Sequence, residues 1–227
     1  MSISIIMSVF NQERTLERSI KSILNQSHTN FEFLICDDFS NDKSLKIIKK
    51  YMQFDSRIKL FQNEKNIGLT KSLNFLISKS KFDYIARQDG DDISFNTRLE
   101  KQIKELKNNN IEFCITRAIN QQTKKKIPGI SFYLPIKFQF KFKNPFVHGT
   151  LLITKEALKK VNFYDEDFYY AQDYKLFSEL LKINVKYKYI NEPLYILNTA
   201  NNMSSNNIIE QTYYANQVKK NYKIGYF

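Results

Sequence analysis

The sequence predicts an open α/β sheet, on three observations. Strand-like and helix-like segments alternate through residues 1–110. The first strand segment is continuously apolar, as in a parallel sheet covered on both faces. Polar clusters rich in carboxylates recur where the strands end, and open sheets of this class bind ligands at the carboxyl ends of their strands.

The elements follow in order. Ile3–Phe10 is a buried strand, and residues 13–25 set Leu16, Ile20, Ile23 and Leu24 on one helical face. Phe31–Cys36 is the second strand, and Leu45, Ile48, Tyr51 and Met52 mark the second helix. Ile58–Phe61 is a short third strand. After Gly68, a helix carries Leu69, Leu73, Leu76 and Ile77. The fourth unit is a strand at 84–88 and a helix over 97–107 with Leu99, Ile103 and Leu106. This β-α unit, built four times, is what an open sheet requires.

The second half reads differently. Ile111–Ile119 is a strand, and residues 120–145 are basic and aromatic, punctuated by Pro128, Gly129, Pro135 and Pro145. They read as loops and a hairpin rather than an interdomain linker. Leu151–Ile153 is a strand. Leu176, Phe177, Leu180, Leu181 and Ile183 mark a helix opening near Asp173, and Ile208–Ile224 reads as an amphipathic terminal helix. At 227 residues the expectation is one domain over 1–227, with halves at 1–110 and 111–227.

Composition narrows the function classes. Thirty-five basic against 23 acidic residues give a net charge of +12. That sign suits an anionic partner such as a nucleotide or a phospholipid surface. A bias toward Lys, Asn, Ile, Phe and Tyr accounts for it equally well. Cys36 and Cys114 lie in apolar strands and form no Cys-x-x-Cys pair, so buried free thiols are expected rather than zinc or redox chemistry. With His28 and His148 the only histidines, a histidine metal site is disfavoured. The stretch Ile3–Phe10 is too short and lacks the basic lead of a signal peptide, and no run approaches a membrane span.

The string YIARQDGDDISFNTRLEKQ, residues 84–102, carries most of the chemistry. Asp89, Asp91 and Asp92 crowd three carboxylates into four residues at the end of a strand. Like charges repel and burial disfavours the charged form, so such a cluster gains from a hard cation. Mg²⁺ commonly takes one or two carboxylates together with substrate phosphates. Neither a glycine-rich dinucleotide fingerprint nor a Gly-x-x-x-x-Gly-Lys loop is present, which argues against nicotinamide, flavin and P-loop chemistry.

Five segments, in order, are similar to family 2 glycosyltransferases of the GT-A fold. SIIMSVFNQERTLERSIKSILNQSHTNFEFLICDDFSNDKS resembles the family's opening strand–helix–strand and nucleoside loop, and NEKNIGLTKSLN its third loop. ARQDGDDISFNTRLEKQ resembles the Asp-x-Asp metal motif, FVHGTLLITKEAL the acceptor-side strand, and FYYAQDYKLFSEL the catalytic-base helix. The resemblance implies an open mixed sheet, with a Rossmann-like nucleotide half followed by a smaller acceptor-side half. It implies transfer from a nucleotide sugar, expected to be UDP-linked, by single displacement with inversion. The expected metal is Mn²⁺ or Mg²⁺.

The implied residues are as follows. Asp173 is the general base, although Asp there also suits a helix N-cap. Asp38 reads the base, since a carboxylate can accept the uracil N3–H, while Asp37 serves the turn. Ser8 and Phe10 line the nucleoside pocket. Asp89 approaches ribose or metal, Asp91 is the direct metal ligand, and His148 stands on the acceptor side. The implied acceptor is a surface glycan such as capsule or lipooligosaccharide, often lipid-linked. A cytoplasmic place on the inner membrane face follows, with the aromatic and lysine-rich run 213–223 as an interfacial helix. No nucleic acid partner is expected.

The chain departs from the family pattern at three places. Asn96 stands where proline is usual, and Gln172 precedes Asp173 where glutamate is usual. Leu197 and Thr199 occupy positions commonly held by Arg and His. Lys65, Lys71 or a basic residue of 120–145 is the expected compensating cation. The rival readings are a nucleotidyltransferase, whose glycine-rich N-terminal loop is missing, and a basic nucleic-acid- or membrane-binding module on a degenerate enzyme core.

Overall fold

The computed structural model describes residues 1–200 and 207–224. Four parallel strands, β1 (Ile3–Val9), β2 (Phe31–Asp37), β3 (Ile58–Gln62) and β4 (Tyr84–Arg87), open the chain. They alternate with α1 (Leu16–Leu24), α2 (Ser44–Phe54) and α3 (Leu69–Lys79), and α4 (Arg98–Asn109) follows the short β5 (Ile93–Ser94). The second half supplies β6 (Phe113–Asn120), β7 (Lys126–Ile127), β8 (Leu152–Thr154) and β9 (Tyr187–Leu197). Its helices are α5 (Ile136–Gln139), α6 (Lys155–Lys160), α7 (Gln172–Lys182) and α8 (Ile208–Ile224).

Among the described residues these strands form one nine-stranded mixed sheet, in the order β3-β2-β1-β4-β8-β6-β9-β5 with β7 paired to β6. Strand β8 runs antiparallel to both β4 and β6, and so joins the two halves. The period-two geometry of β1 sends Ile6 to one face and Ile3, Ile5, Met7 and Val9 to the other. The Ile6 face is covered by Leu73, Leu76 and Ile77 of α3, by α6, and by Leu176, Phe177 and Leu180 of α7. The opposite face is covered by Leu16, Ile20 and Ile23 of α1, by Ile48 and Tyr51 of α2, and by Leu99, Ile103 and Leu106 of α4. The helices bury the predicted stripes with two exceptions: Met52 of α2 is 40% exposed, and Ile183, just past the end of α7, is 49% exposed.

Two elements differ from expectation. Strand β9, eleven residues long, runs parallel to β6 and is interrupted by Lys188, Asn191, Glu192 and Pro193. Its polar content and internal proline conceal it, because proline is excluded from regular central strands. The register shifts around Arg117 accommodate Pro193. The terminal helix α8 forms as expected but does not present all its aromatics outward: Val218 and Tyr222 are buried in the core, with Tyr214 and Ala215 packed against it. Tyr213 stays exposed, and the Lys223 side chain lies outside the described residues. No described helix is long and apolar enough to cross a membrane.

Candidate active site

The parallel register brings the carboxyl ends of β1 to β4 to one edge. Val9 lies opposite Asp37, Asp37 opposite Gln62, and Ile6 opposite Arg87. The loops beyond are tied together. Asp38 N donates to Val9 O at 2.8 Å, Asn11 N to Ser40 Oγ at 3.0 Å, and Gln88 N to Ile6 O at 3.1 Å. Ser8, Phe10 and Asp38 are thus gathered at one end of the sheet. Ser8 is half-buried, and Phe10 is 46% exposed just past the strand, with its ring open to solvent.

Asp38 is buried and held from three sides. Its Oδ1 accepts from Asn63 Nδ2 at 2.7 Å and from Ile67 N at 2.9 Å, and its Oδ2 accepts from Gly68 N at 2.9 Å. A carboxylate has about four acceptor sites, and these donors occupy three of them. The turn that supplies these donors needs Gly68, whose φ of 88° lies in the left-handed region. Asp37 serves its own turn, accepting from Ser40 N at 3.3 Å.

The Asp89–Asp92 loop separates the three carboxylates by environment. Asp89 Oδ2 pairs with the buried guanidinium of Arg87, and its backbone N donates to Tyr195 Oη at 3.1 Å. Asp92 is buried and accepts from Asn198 N at 2.7 Å; burial and the charges of Asp89 and Asp91 push its carboxyl well up. Asp91 is pushed up to about 6 by burial and by the Asp89 charge. A hydrogen bond from its own backbone N–H opposes that shift, as do the charges of Arg87 and Arg18. Gly90 lets the loop close down, because a Cβ there would collide with Gln12 Oε1.

Among the described residues no three His, Cys, Asp or Glu groups converge on a point that could hold a metal. The donor set nevertheless fits a cation of the Mg²⁺ or Mn²⁺ type in one way: Asp91 as the protein ligand, with phosphate oxygens of a bound diphosphate completing the shell.

Asp173 lies in the first turn of α7. It is not the N-cap, which is Ala171 at φ 53°, so the capping alternative for Asp173 is corrected. Its Oδ1 accepts from Tyr174 N at 2.7 Å and its Oδ2 from Asn144 Nδ2 at 2.8 Å. Burial raises its pKa, against those two hydrogen bonds and Arg87. The result is a more basic carboxylate than a solvated aspartate. It borders a cavity of about 290 Å³ together with Phe142, Lys143, Asn144 and Lys219. A larger hollow of about 870 Å³ lies between α3, α6 and α7, away from Asp38, Asp91 and Asp173. Its lining includes none of the predicted site residues, whereas Asp173 lines the smaller cavity.

His148 Nε2 and Tyr164 Oη are 2.7 Å apart. Burial, aided by Arg87, holds the imidazole well below its usual range, so His148 is neutral near pH 7. Arg87 is therefore the electrostatic centre of the site, within reach of Asp89, Asp91, His148, Tyr164 and Asp173. Sequence reasoning passed over it as the end of an apolar strand; the available signal was a lone charge in YIAR. Tyr195 went unnoticed with β9, and Asn144 with a featureless loop. Thr199 Oγ1 accepts from Asn120 Nδ2 at 3.0 Å and donates to Gln122 Oε1 at 2.9 Å, so it anchors the β6–β7 hairpin. Beside the Asp91 loop, Arg18 Nη2 donates to Asp91 O at 3.3 Å and to Gln121 Oε1 at 3.1 Å.

Residues 4–174 match the family described as Glycosyl transferase family 2. The chain belongs to that family. This family 2 chain is 39% identical over 165 residues to the putative glycosyltransferase EpsE of Bacillus subtilis, covering 71% of the chain and 59% of EpsE. It is 33% identical over 186 residues to an Escherichia coli enzyme, UDP-Glc:alpha-D-GlcNAc-diphosphoundecaprenol beta-1,3-glucosyltransferase WfgD, covering 80% and 70% of the two. In fold it is similar to the crystal structure of S. aureus TarS 1-349 in complex with UDP, with a TM-score of 0.78 at 17% identity, over 98% of this chain and 65% of that one. The family 2 chain thus has the mixed sheet of the GT-A type, and spans about three fifths of EpsE.

Proposed function

We propose that this chain is a single metal-dependent, inverting GT-A domain over 1–227, with a donor half at 1–110 and an acceptor half at 111–227. It moves a sugar from a UDP-sugar to a hydroxyl of a glycan acceptor in surface-polysaccharide or lipooligosaccharide synthesis. One observation carries the reading: the buried Arg87 charge acts on both the Asp91 and the Asp173 carboxyl, which supports assigning the diphosphate and the base to one site. EpsE, WfgD and UDP-bound TarS support the donor and acceptor classes.

In this reading Asp38 accepts the uracil N3–H, and the Phe10 ring covers the base, with Ser8 alongside. Asp89, fixed by Arg87, turns its other oxygen to the ribose or metal. Asp91 would hold Mn²⁺ or Mg²⁺. The bound metal supplies a Lewis acid that neutralises charge on the departing diphosphate. Arg18 adds the cation missing at Leu197 and Thr199. The acceptor enters by the cavity beside Asp173, with His148 behind it. Asp173 takes the proton of the acceptor hydroxyl as its oxygen bonds the anomeric carbon; the bond from that carbon to the diphosphate breaks on the opposite side, and its electron pair leaves with UDP. The configuration inverts.

The place of action is the cytoplasmic side of the membrane, where lipid-linked acceptors are presented. The test is a thermal shift with UDP in Mn²⁺ and in EDTA, followed by a panel of UDP-sugars assayed for UDP release. Stabilisation by UDP that needs Mn²⁺ and Asp91 supports the reading. Equal stabilisation in EDTA and Mn²⁺, in wild type and Asp91→Ala alike, contradicts it.

A further inference from the structure

We infer that the segment from Ile130 to Phe142 is a membrane-docking arm that seats this chain on an anionic bilayer and delivers a lipid-anchored acceptor to the cavity beside Asp173. The inference rests on the proposed transferase reading only for the acceptor; the docking itself stands apart from it.

The arm has an inner and an outer set of side chains. Phe140 is fully buried and packs against Phe146, Tyr174 and Tyr222, and Gln139, also buried, donates to Leu134 O at 2.9 Å. Phe132 sits on Tyr189 at 4.9 Å between ring centroids, and under the Arg117 guanidinium at 4.9 Å. These contacts pin the arm to the body. Outward it shows Ile130, 90% exposed, Tyr133, 72% exposed, and Leu134, Phe138 and Phe142, each about half exposed. Five large apolar side chains are exposed within thirteen residues, and two of them, Phe138 and Phe142, pack ring to ring at 5.1 Å.

Charge complementarity selects the occupant. From Phe113 to Lys155 the chain contains no Asp or Glu and eight Lys or Arg. Lys124, Lys125, Lys126, Lys137, Lys141 and Lys143 are exposed in and around the arm. Apolar rings flanked by lysines, in a stretch of sequence that holds no Asp or Glu, match the interface of an anionic membrane, where rings enter the headgroup boundary and lysines meet phosphates. A protein partner would have to match the full row of lysines. A nucleic acid would leave Ile130 and Leu134 in water. Continuity with the site adds the second argument: Phe142, at the end of the arm, also lines the cavity that holds Asp173, between Lys143 and Lys219. A bilayer touching the arm places a membrane-anchored glycan at that mouth, and the two lysines suit a phosphate on its anchor.

Helix α8 is the weaker docking element, since Val218 and Tyr222 turn its packed face to the core.

The experiment is co-sedimentation of the full chain with vesicles of phosphatidylglycerol and phosphatidylcholine, and with phosphatidylcholine alone, at low and high salt. Binding to the anionic vesicles at low salt is expected. The combined variant Ile130→Asp, Tyr133→Asp, Phe138→Asp should lose it by at least about tenfold, and Lys137→Gln with Lys141→Gln by a similar factor. Tyr213→Asp on α8 should leave it within about twofold. Thermal stabilisation by UDP with Mn²⁺, measured on the same samples, should be unchanged in the arm variants. That readout shows they are folded and keeps the donor reading separate. No vesicle binding by wild type, equal binding by the arm variants, or binding to RNA or self-association in place of vesicles overturns the inference.

Discussion

The buried guanidinium of Arg87 pairs with the carboxylate of Asp89, two residues along the same chain. Burial opposes the arginine's charge, and Asp89 more than offsets that, keeping it protonated. Asp89 and Asp91 are thereby given different duties, although their spacing alone makes them look equivalent. Removing Asp89 strands a buried cation, whereas removing Asp91 relieves a strained anion. Asp89→Ala should lose about 3–5 kcal/mol in chemical denaturation, and Asp91→Ala none. Equal losses in the two variants would show that Arg87 does not depend on Asp89.

The Asp91 carboxyl gives a pH signature. Its folded-state pKa, about 6, lies above that of an ordinary aspartate. A raised pKa contributes stability at low pH that is lost as pH rises through the folded value. Wild type therefore carries a penalty at pH 7 that Asp91→Asn avoids. In EDTA the variant should melt higher than wild type at pH 7, and the gap should close as pH falls through about 6 toward the ordinary carboxylate range. UDP with Mn²⁺ should reverse the order. A gap independent of pH would contradict this assignment of the shift.

Gly68 links backbone geometry to donor binding. Its left-handed φ of 88° and its N–H to Asp38 Oδ2 belong to the same turn. An added Cβ would also come within 2.6 Å of the Tyr169 ring, which is exposed enough to swing aside, so the backbone strain dominates. Gly68→Ala should lower stability by about 1–3 kcal/mol and weaken UDP binding, read by urea denaturation and calorimetry. Unchanged UDP affinity would separate Asp38 from nucleotide recognition.

Much of this was legible in the sequence, and the reasons for the exceptions are physical. The four β-α units were readable because their helices each bury one stripe, and the apolar run of β1 has no other use. The strand-end position of Asp38 and Asp91 followed from the same alternation. Strand β9 was not readable: Lys188, Asn191 and Glu192 interrupt its apolar residues, Pro193 sits within it, and its strand geometry comes from pairing with β6. The split between Asp89 and Asp91 was hidden because it depends on Arg87, whose burial only the packed sheet reveals. Asn144 comes beside Asp173 through the path of a loop, which no local pattern encodes.

The central claim is that Asp173 is the base. Burial raises its pKa while Asn144 and Tyr174 N hold it in place, so the acid limb of the pH–rate profile should lie above that of a solvated aspartate. Asn144→Ala removes a hydrogen bond that favours the charged form, and should move that limb further up. The most direct measurement is the turnover of Asp173→Asn with a UDP-sugar and acceptor, alongside its affinity for UDP with Mn²⁺. The account predicts a loss in kcat of at least about a hundredfold with UDP affinity nearly unchanged. Near-normal turnover by a folded Asp173→Asn protein would contradict it.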